Sequence, residues 1–183
     1  MENQKLLHDL LNKKYTQPRI FEIFDSLATV DINDLWGFWK GSEIKTGHPM
    51  EGILSVTGWY GKRFVNSEQI DPLVFRTEKG KLFYVNPGLI PLELPIEKLP
   101  KKILSMTMKW FGFVVKTNKS RARVRRVKFR GKTSASMIYD QKAIIDVFRK
   151  INDDTLLGVM DIKDKHPEKY YFFVLQRVTE QSK

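Results

Sequence analysis

RARVRRVKFRGKTSASMIYDQKAIIDVFRKINDDTLLGVMDI, residues 121–162, decides the fold class. It breaks into short runs, RARVRRVKF, KTSASMIYD, AIIDVFRKI and TLLGVMDI, whose β-branched and aromatic residues suit pleated strands. YYFFVLQRV at 170–178 continues the series. Asn152–Asp154 and the polar stretch 163–169 separate runs at hairpin spacing. In the first run Ala122 and Val124 share one face, whereas Val127 and Phe129 have the opposite parity. That shift predicts a β-bulge between Arg125 and Arg126. Upstream, WFGFVVK at 110–116 reads as a further strand.

Toward the N-terminus, WYGKRFV (59–65), PLVFR (72–76) and KLFYVN (81–86) read as successive strands, with Gly80 marking a tight turn. GFWKGSEI (37–44) is a short strand punctuated by Gly37 and Gly41, and MEGILSV (50–56) fits either one helical turn or a strand. Leu6, Leu7, Leu10 and Leu11 fall at helical spacing and predict a helix over 3–14. Pro18 opens a second helix with Ile20, Ile23, Phe24 and Leu27 as its apolar stripe. Asp31 and Asn33 follow it as capping or turn residues. Residues 87–101 carry Pro87, Pro91, Pro95 and Pro100 among apolar side chains. The prolines exclude a central strand and predict a lid or crossing loop.

With no βαβ alternation, the expected architecture is mainly β: a calycin-like antiparallel β-barrel of about eight to ten strands with an N-terminal helical pair. The expected boundaries are 1–30 for the helices, 31–178 for a single barrel made of a 31–100 part and a 115–178 part, and 179–183 for a tail.

Composition removes several function classes. The 183 residues are 42% hydrophobic and 29% charged, as in one globular domain rather than a disordered chain. The absence of cysteine excludes a disulfide scaffold, a thiolate metal site and a cysteine nucleophile. Three histidines without an H-E-x-x-H spacing argue against a dedicated zinc site. No Gly-rich phosphate cradle points to a nucleotide enzyme. No apolar run resembles a signal peptide or spans a bilayer, so the cytoplasm is the expected compartment. The net charge of +11 suits polyanion attraction or plain solubility.

Three clusters carry a family resemblance: Gly37-Phe38-Trp39-Lys40-Gly41; TGHPMEG at 46–52 with GWYGKRF at 58–64; and the run from Arg130-Gly131 through SASMIYD, IIDVFRK and LLGVMDIKD to YYFFVLQR. Together they resemble the GXWXG-domain family, in which that short domain joins a C-terminal domain of unknown function. The resemblance spans about 18–178 and implies a fold without an activity. It departs at Asp71-Pro72-Leu73, where the family pattern has a His before Pro-Leu. By fold analogy the glycine-flanked Trp39 is also similar to the Trp that closes one end of lipocalin- and nitrobindin-like barrels, an analogy that carries no function.

The candidate site residues follow from these placements. Trp39 plugs the core or stacks on a ligand. His48, in a Gly-His-Pro loop, is a general base, a metal or haem ligand, or a stabiliser of its own loop. Strand alternation puts Trp59 and Arg63 on one face and Tyr60 and Lys62 on the other. A cation inside an apolar barrel needs a carboxylate from the protein or from a ligand. Tyr139, Asp140, Asp146, Arg149, Asp161 and Arg177 lie among apolar neighbours and suit internal Arg–Asp pairing, or acid–base work by Asp140 and Asp146. Parity groups Asp146 with Ile144 and Phe148, and Arg149 with Val147 and Ile151. Lys119 to Lys132, including Arg121, Arg123, Arg125, Arg126, Lys128 and Arg130, is densely basic, but no nucleic-acid-binding signature accompanies it.

The functional expectation is binding of a small, mostly apolar ligand, with an acidic head group as one option, inside the barrel. Trp39, His48, Trp59, Tyr60, Lys62, Arg63, Arg130, Tyr139, Asp140, Asp146 and Arg149 are its candidate contacts. One alternative is an enzyme using His48 or a C-terminal Asp in the same cavity. The other is a nucleic-acid or anionic-membrane binder using 119–132. Haem through one axial His is not the preferred cofactor. Oligomeric state stays open.

Overall fold

The computed structural model describes residues 2–90, 100, 103, 114–163 and 169–178. Helices α1 (Glu2–Asn12), α2 (Gln17–Ser26) and α3 (Ile53–Thr57) accompany strands β1 (Ala28–Thr29), β2 (Gly37–Glu43), β3 (Trp59–Asn66), β4 (Gln69–Arg76) and β5 (Leu82–Tyr84). Strands β6 (Ala122–Phe129), β7 (Lys132–Tyr139), β8 (Ile144–Asn152), β9 (Thr155–Ile162) and β10 (Tyr171–Arg177) follow. All pairings between them are antiparallel. Eight of these strands form a ring, β2-β3-β4-β6-β7-β8-β9-β10, which β10 closes onto β2. β1 adds to β8 and β5 to β4. The mainly β barrel with two N-terminal helices expected from the sequence is therefore present.

The ring's two joints between the N-terminal and C-terminal strands differ. β2 and β10 share a ladder from Glu43↔Phe173 to Trp39↔Arg177. β4 and β6 register at Ile70↔Ala122, flanked by backbone bonds from Arg121 N–H to Ile70 O and from Val124 N–H to Ser67 O.

Two cores follow from strand alternation. Inside the ring sit Trp39, Trp59, Phe64, Phe148, Tyr139, Tyr171 and Phe173. On the outside, Leu10 of α1 and Ile20, Phe21 and Phe24 of α2 cover Val147, Ile151, Leu157, Val159, Phe172 and Val174. β8 thus has apolar side chains on both faces because both faces are buried. α2 starts where Pro18 permits, with the Thr16 hydroxyl accepting from Arg19 N–H at 3.4 Å. Asp31 caps the short 3-10 helix Ile32–Leu35 by accepting from Asn33 N–H at 3.0 Å.

Several local expectations are corrected. β6 has no bulge: its register with β7 runs unbroken from Ala122↔Tyr139 to Phe129↔Lys132. The phase change reflects a change of cover, because Phe129 lies on the outer face against Phe21 and Phe24, with ring centroids 6.4 and 6.2 Å away. Arg126, of Val124's parity, pairs instead with Asp31 at 2.5 Å. Register breaks occur instead near the end of the β8–β9 pairing, between Lys150 and Asn152, and where β3 meets β4. The β3–β4 breaks include those around Gly61 and Pro72. The breaks around Gly61 put Trp59 on the same inner side as Lys62 and Phe64, against strict alternation. Gly61 has φ +150°, and a Cβ there would lie 1.9 Å from Trp39 O. Pro72 sits in a ring strand because the irregularity relieves its missing N–H.

In the ambiguous 50–56 stretch the helical turn prevails as α3, flanked by Gly52 and Gly58 with φ of 82° and 84°. The expected lid at 87–101 starts with a 3-10 turn, Pro87–Leu89, but 91–99 and 101 lie outside the described residues. So do 110–113 of the expected WFGFVVK strand; its end bridges Lys116 to Val85.

Candidate functional site

β3, β7 and β8 turn Lys62, Tyr139 and Asp146 into the barrel together. Lys62 Nζ lies 2.8 Å from Asp146 Oδ2, with side chains 3% and 0% exposed. The same ammonium donates to Tyr139 Oη and to Pro72 O, each at 3.3 Å. The Tyr139 hydroxyl donates in turn toward Asp146 Oδ2 at 3.5 Å. Rings of Phe173, Tyr139 and Trp59 surround the ammonium, with centroids 5.1, 5.6 and 5.8 Å away. Burial raises the carboxyl pKa of Asp146, against the opposing pull of Lys62. Burial also holds the Tyr139 phenol well above its ordinary value, helped by the charge of Asp146. Tyr139 therefore stays neutral beside the Lys62–Asp146 pair.

Two polar atoms of this centre are left over. Asp146 Oδ1 and Trp59 Nε1 are buried without a hydrogen-bond partner among the described residues. Such atoms are rare and costly in a folded protein. Trp59 is held by close contact: its indole lies on Gly41, where a Cβ would come within 2.1 Å of the ring. This explains the second glycine of the GFWKG stretch. Trp59 and Gly41 also line a cleft of about 590 Å³ between β2 and α3, together with Lys14, Glu43, Glu51 and Ser55. Glu43 accepts from the Tyr171 hydroxyl and from Gly52 and Ser55 N–H at 3.1 and 3.2 Å, tying α3 to the barrel wall. Glu51 holds the preceding loop by accepting from Thr46 and, at 2.9 Å, from His48 N–H.

The remaining candidates are placed apart from this centre. His48 is buried, accepts at Nδ1 from Met50 N–H at 3.1 Å, and stands edge-on to Tyr171 at 5.4 Å. Its Nδ1 is committed to its own loop. Trp39 is fully buried, donates to Leu35 O at 2.7 Å, and has the Arg177 guanidinium 4.2 Å from its ring. Arg177 also donates to the carbonyls of Trp36 and Asp34 at 2.8 Å, which fastens the entry to β2 onto β10. Tyr60 is stacked under Arg76 at 4.6 Å. Arg63 donates to Tyr84 Oη and lies 3.5 Å from Asp71.

The expected Arg–Asp pairing within the barrel is corrected. Asp146 takes Lys62, while Arg149 points outward beneath α2. There it sits 4.6 Å from the Phe24 ring and donates to the carbonyls of Phe148 and Phe129. Asp140 is a partly exposed partner of Arg123 at 3.5 Å, not a neighbour of Asp146 in a carboxylate pair. Asp161 is raised by burial. Arg130 forms a forked pair with Asp25 at 2.9 and 2.7 Å, away from the barrel interior. The basic strand is largely countered in place, since Arg123, Arg125, Arg126 and Arg130 face Asp140, Glu68, Asp31 and Asp25. Sequence reasoning missed Phe173, Tyr171 and Glu43. The same-face pair Tyr171 and Phe173 in β10 was the available signal. Among the described residues no group of three or more His, Asp or Glu could hold a metal ion, and no helix is long and apolar enough to cross a membrane.

Comparison with known proteins gives a family without a chemistry. Residues 22–80 match the family model described as GXWXG protein, and residues 120–177 match a domain of unknown function, DUF4334. No curated protein matches the chain. A crystal structure described as a protein from Thermomonospora curvata is similar over 98% of this chain and 100% of its own, at 28% identity and a TM-score of 0.72.

Proposed function

We propose that this chain, a GXWXG protein joined to the DUF4334 domain, binds a small, mostly apolar molecule at the Lys62–Asp146–Tyr139 centre of its barrel. One observation carries the reading: a fully buried ion pair within an aromatic interior leaves an acceptor and a donor, Asp146 Oδ1 and Trp59 Nε1, without partners. Binding sites combine apolar walls with a few placed polar groups of this kind. Trp59 also lines the cleft beside α3, so the same ring borders both that cleft and the buried ion pair.

The arrangement supports binding better than the alternatives. His48 has Nδ1 engaged by its own loop, and the carboxylate nearest the aromatic interior is already paired. Polyanion binding through β6 is disfavoured because its arginines have acidic partners of their own. The test is native mass spectrometry of protein from its own host, joined to titration with a fluorescent amphiphile. Saturable binding that is lost on Trp59→Ala and Asp146→Ala, in variants that still fold, is the expected result. Absence of saturable binding by the wild type would remove the reading.

A further inference from the structure

The hydrogen-bond inventory of the buried centre narrows the ligand, given the binding role proposed above. A lysine ammonium has three hydrogens. Those of Lys62 meet Asp146 Oδ2, Tyr139 Oη and Pro72 O. The Tyr139 hydroxyl accepts from Lys62 and donates toward Asp146 Oδ2. Lys62 therefore has neither a free hydrogen nor an uncompensated charge to offer an incoming acid. A bound carboxylate would instead bring a second anion beside Asp146, in surroundings of low polarity where like charges repel strongly. A bound ammonium would stand equally badly beside Lys62.

Among the described residues, what the centre lacks is one donor for Asp146 Oδ1 and one acceptor for the Trp59 indole N–H. Both belong to residues grouped around Lys62 Nζ: the other oxygen of Asp146 is 2.8 Å from that nitrogen, and the Trp59 ring centroid is 5.8 Å from it. We propose that the ligand's polar end is an uncharged donor–acceptor group, a hydroxyl or a primary amide, which donates to Asp146 Oδ1 and accepts from Trp59 Nε1. This replaces the acidic head group considered from the sequence. It makes the side chains of Asp146 and Trp59 the determinants of specificity.

The experiment compares decanol, decanamide, decanoate, decylamine and decane by equilibrium titration near neutral pH, on the wild type and on Trp59→Phe, which keeps a ring but removes the N–H. Decanol and decanamide are expected to bind the wild type about tenfold or more tighter than decanoate, decylamine or decane, the scale of a buried polar group gaining its partner. Trp59→Phe is expected to cancel most of the preference for decanol and decanamide over decane, the pattern of a lost hydrogen bond, whereas a lost wall would weaken all five together and leave the ratio unchanged. Equal or tighter binding of decanoate or decylamine overturns the neutral-group assignment and leaves the binding role standing. An unchanged preference in Trp59→Phe overturns the part given to the indole. Failure of all five to bind the wild type overturns both this inference and the binding role.

Discussion

Replacing Lys62 by Met strands Asp146 in the barrel. Asp146 is 0% exposed, its Oδ1 already lacks a partner, and its remaining donor would be Tyr139 Oη at 3.5 Å. Removing one member of such a pair costs about 3–5 kcal/mol, because the other charge stays buried and uncompensated. For a chain of this size about 1 kcal/mol moves the melting midpoint by about 2–4 °C, so the expected drop is about 6–20 °C. The pH dependence follows from the direction of the Asp146 shift. Its folded pKa is already raised by burial, and losing Lys62 removes the main influence that lowers it. A carboxyl with a raised folded pKa contributes stability below its unfolded value, and that contribution is lost as pH rises through the folded value. The deficit of Lys62→Met should therefore be largest near neutrality and shrink as the pH falls toward the ordinary carboxyl range, where Asp146 protonates. The double variant Lys62→Met with Asp146→Leu removes both charges and should recover most of the loss. Thermal melts of wild type, both single variants and the double variant across pH form the assay. An unchanged midpoint for Lys62→Met, or a double variant no more stable than that single one, would refute the reasoning.

Two further substitutions probe the strand carrying the glycine-flanked tryptophan. Trp39→Ala empties a fully buried site and removes the ring under Arg177, so it should cost about 3–5 kcal/mol, read from chemical denaturation. Gly41→Ala places a methyl group where the Trp59 indole now lies. It should cost about 1–3 kcal/mol as overpacking and should shift the tryptophan emission, whereas a wild-type melt and spectrum would show that the indole does not rest there.

Architecture was legible in this sequence where local pattern and environment agree. β8 alternates Asp146 inward with Arg149 outward because helices cover one face and the barrel interior the other, and parity alone separates them. The identity of their partners was not legible. Lys62 and Asp146 come from distant strands, and only ring closure makes them neighbours. The same limit applies to Gly61: its need for a missing Cβ is set by the carbonyl of Trp39 on the adjacent strand, so the irregularity that brings Trp59 beside Lys62 leaves no local trace. In β6 the phase change was a true signal of altered surroundings, but a helix passing over Phe129 produces it as readily as a bulge. Arg149 was misassigned for a related reason. A buried guanidinium can be satisfied by carbonyls and an aromatic face as well as by an aspartate.

The unequal joints of the ring make the cylinder resemble a bound book with a spine and a clasp. Along the spine, β2 and β10 hold each other over five consecutive residue pairs. At the clasp, β4 and β6 meet at Ile70↔Ala122 with a backbone bond on either side. Opening free energies within a fold track how much pairing and packing must be broken locally. Breathing therefore concentrates at the clasp, where separating the pair Ile70 and Ala122 parts the wall while the spine keeps the two halves in register. The amides of Arg121 and Val124, which bond across that joint, should exchange with solvent well before those of β9, which is paired on both sides by β8 and β10.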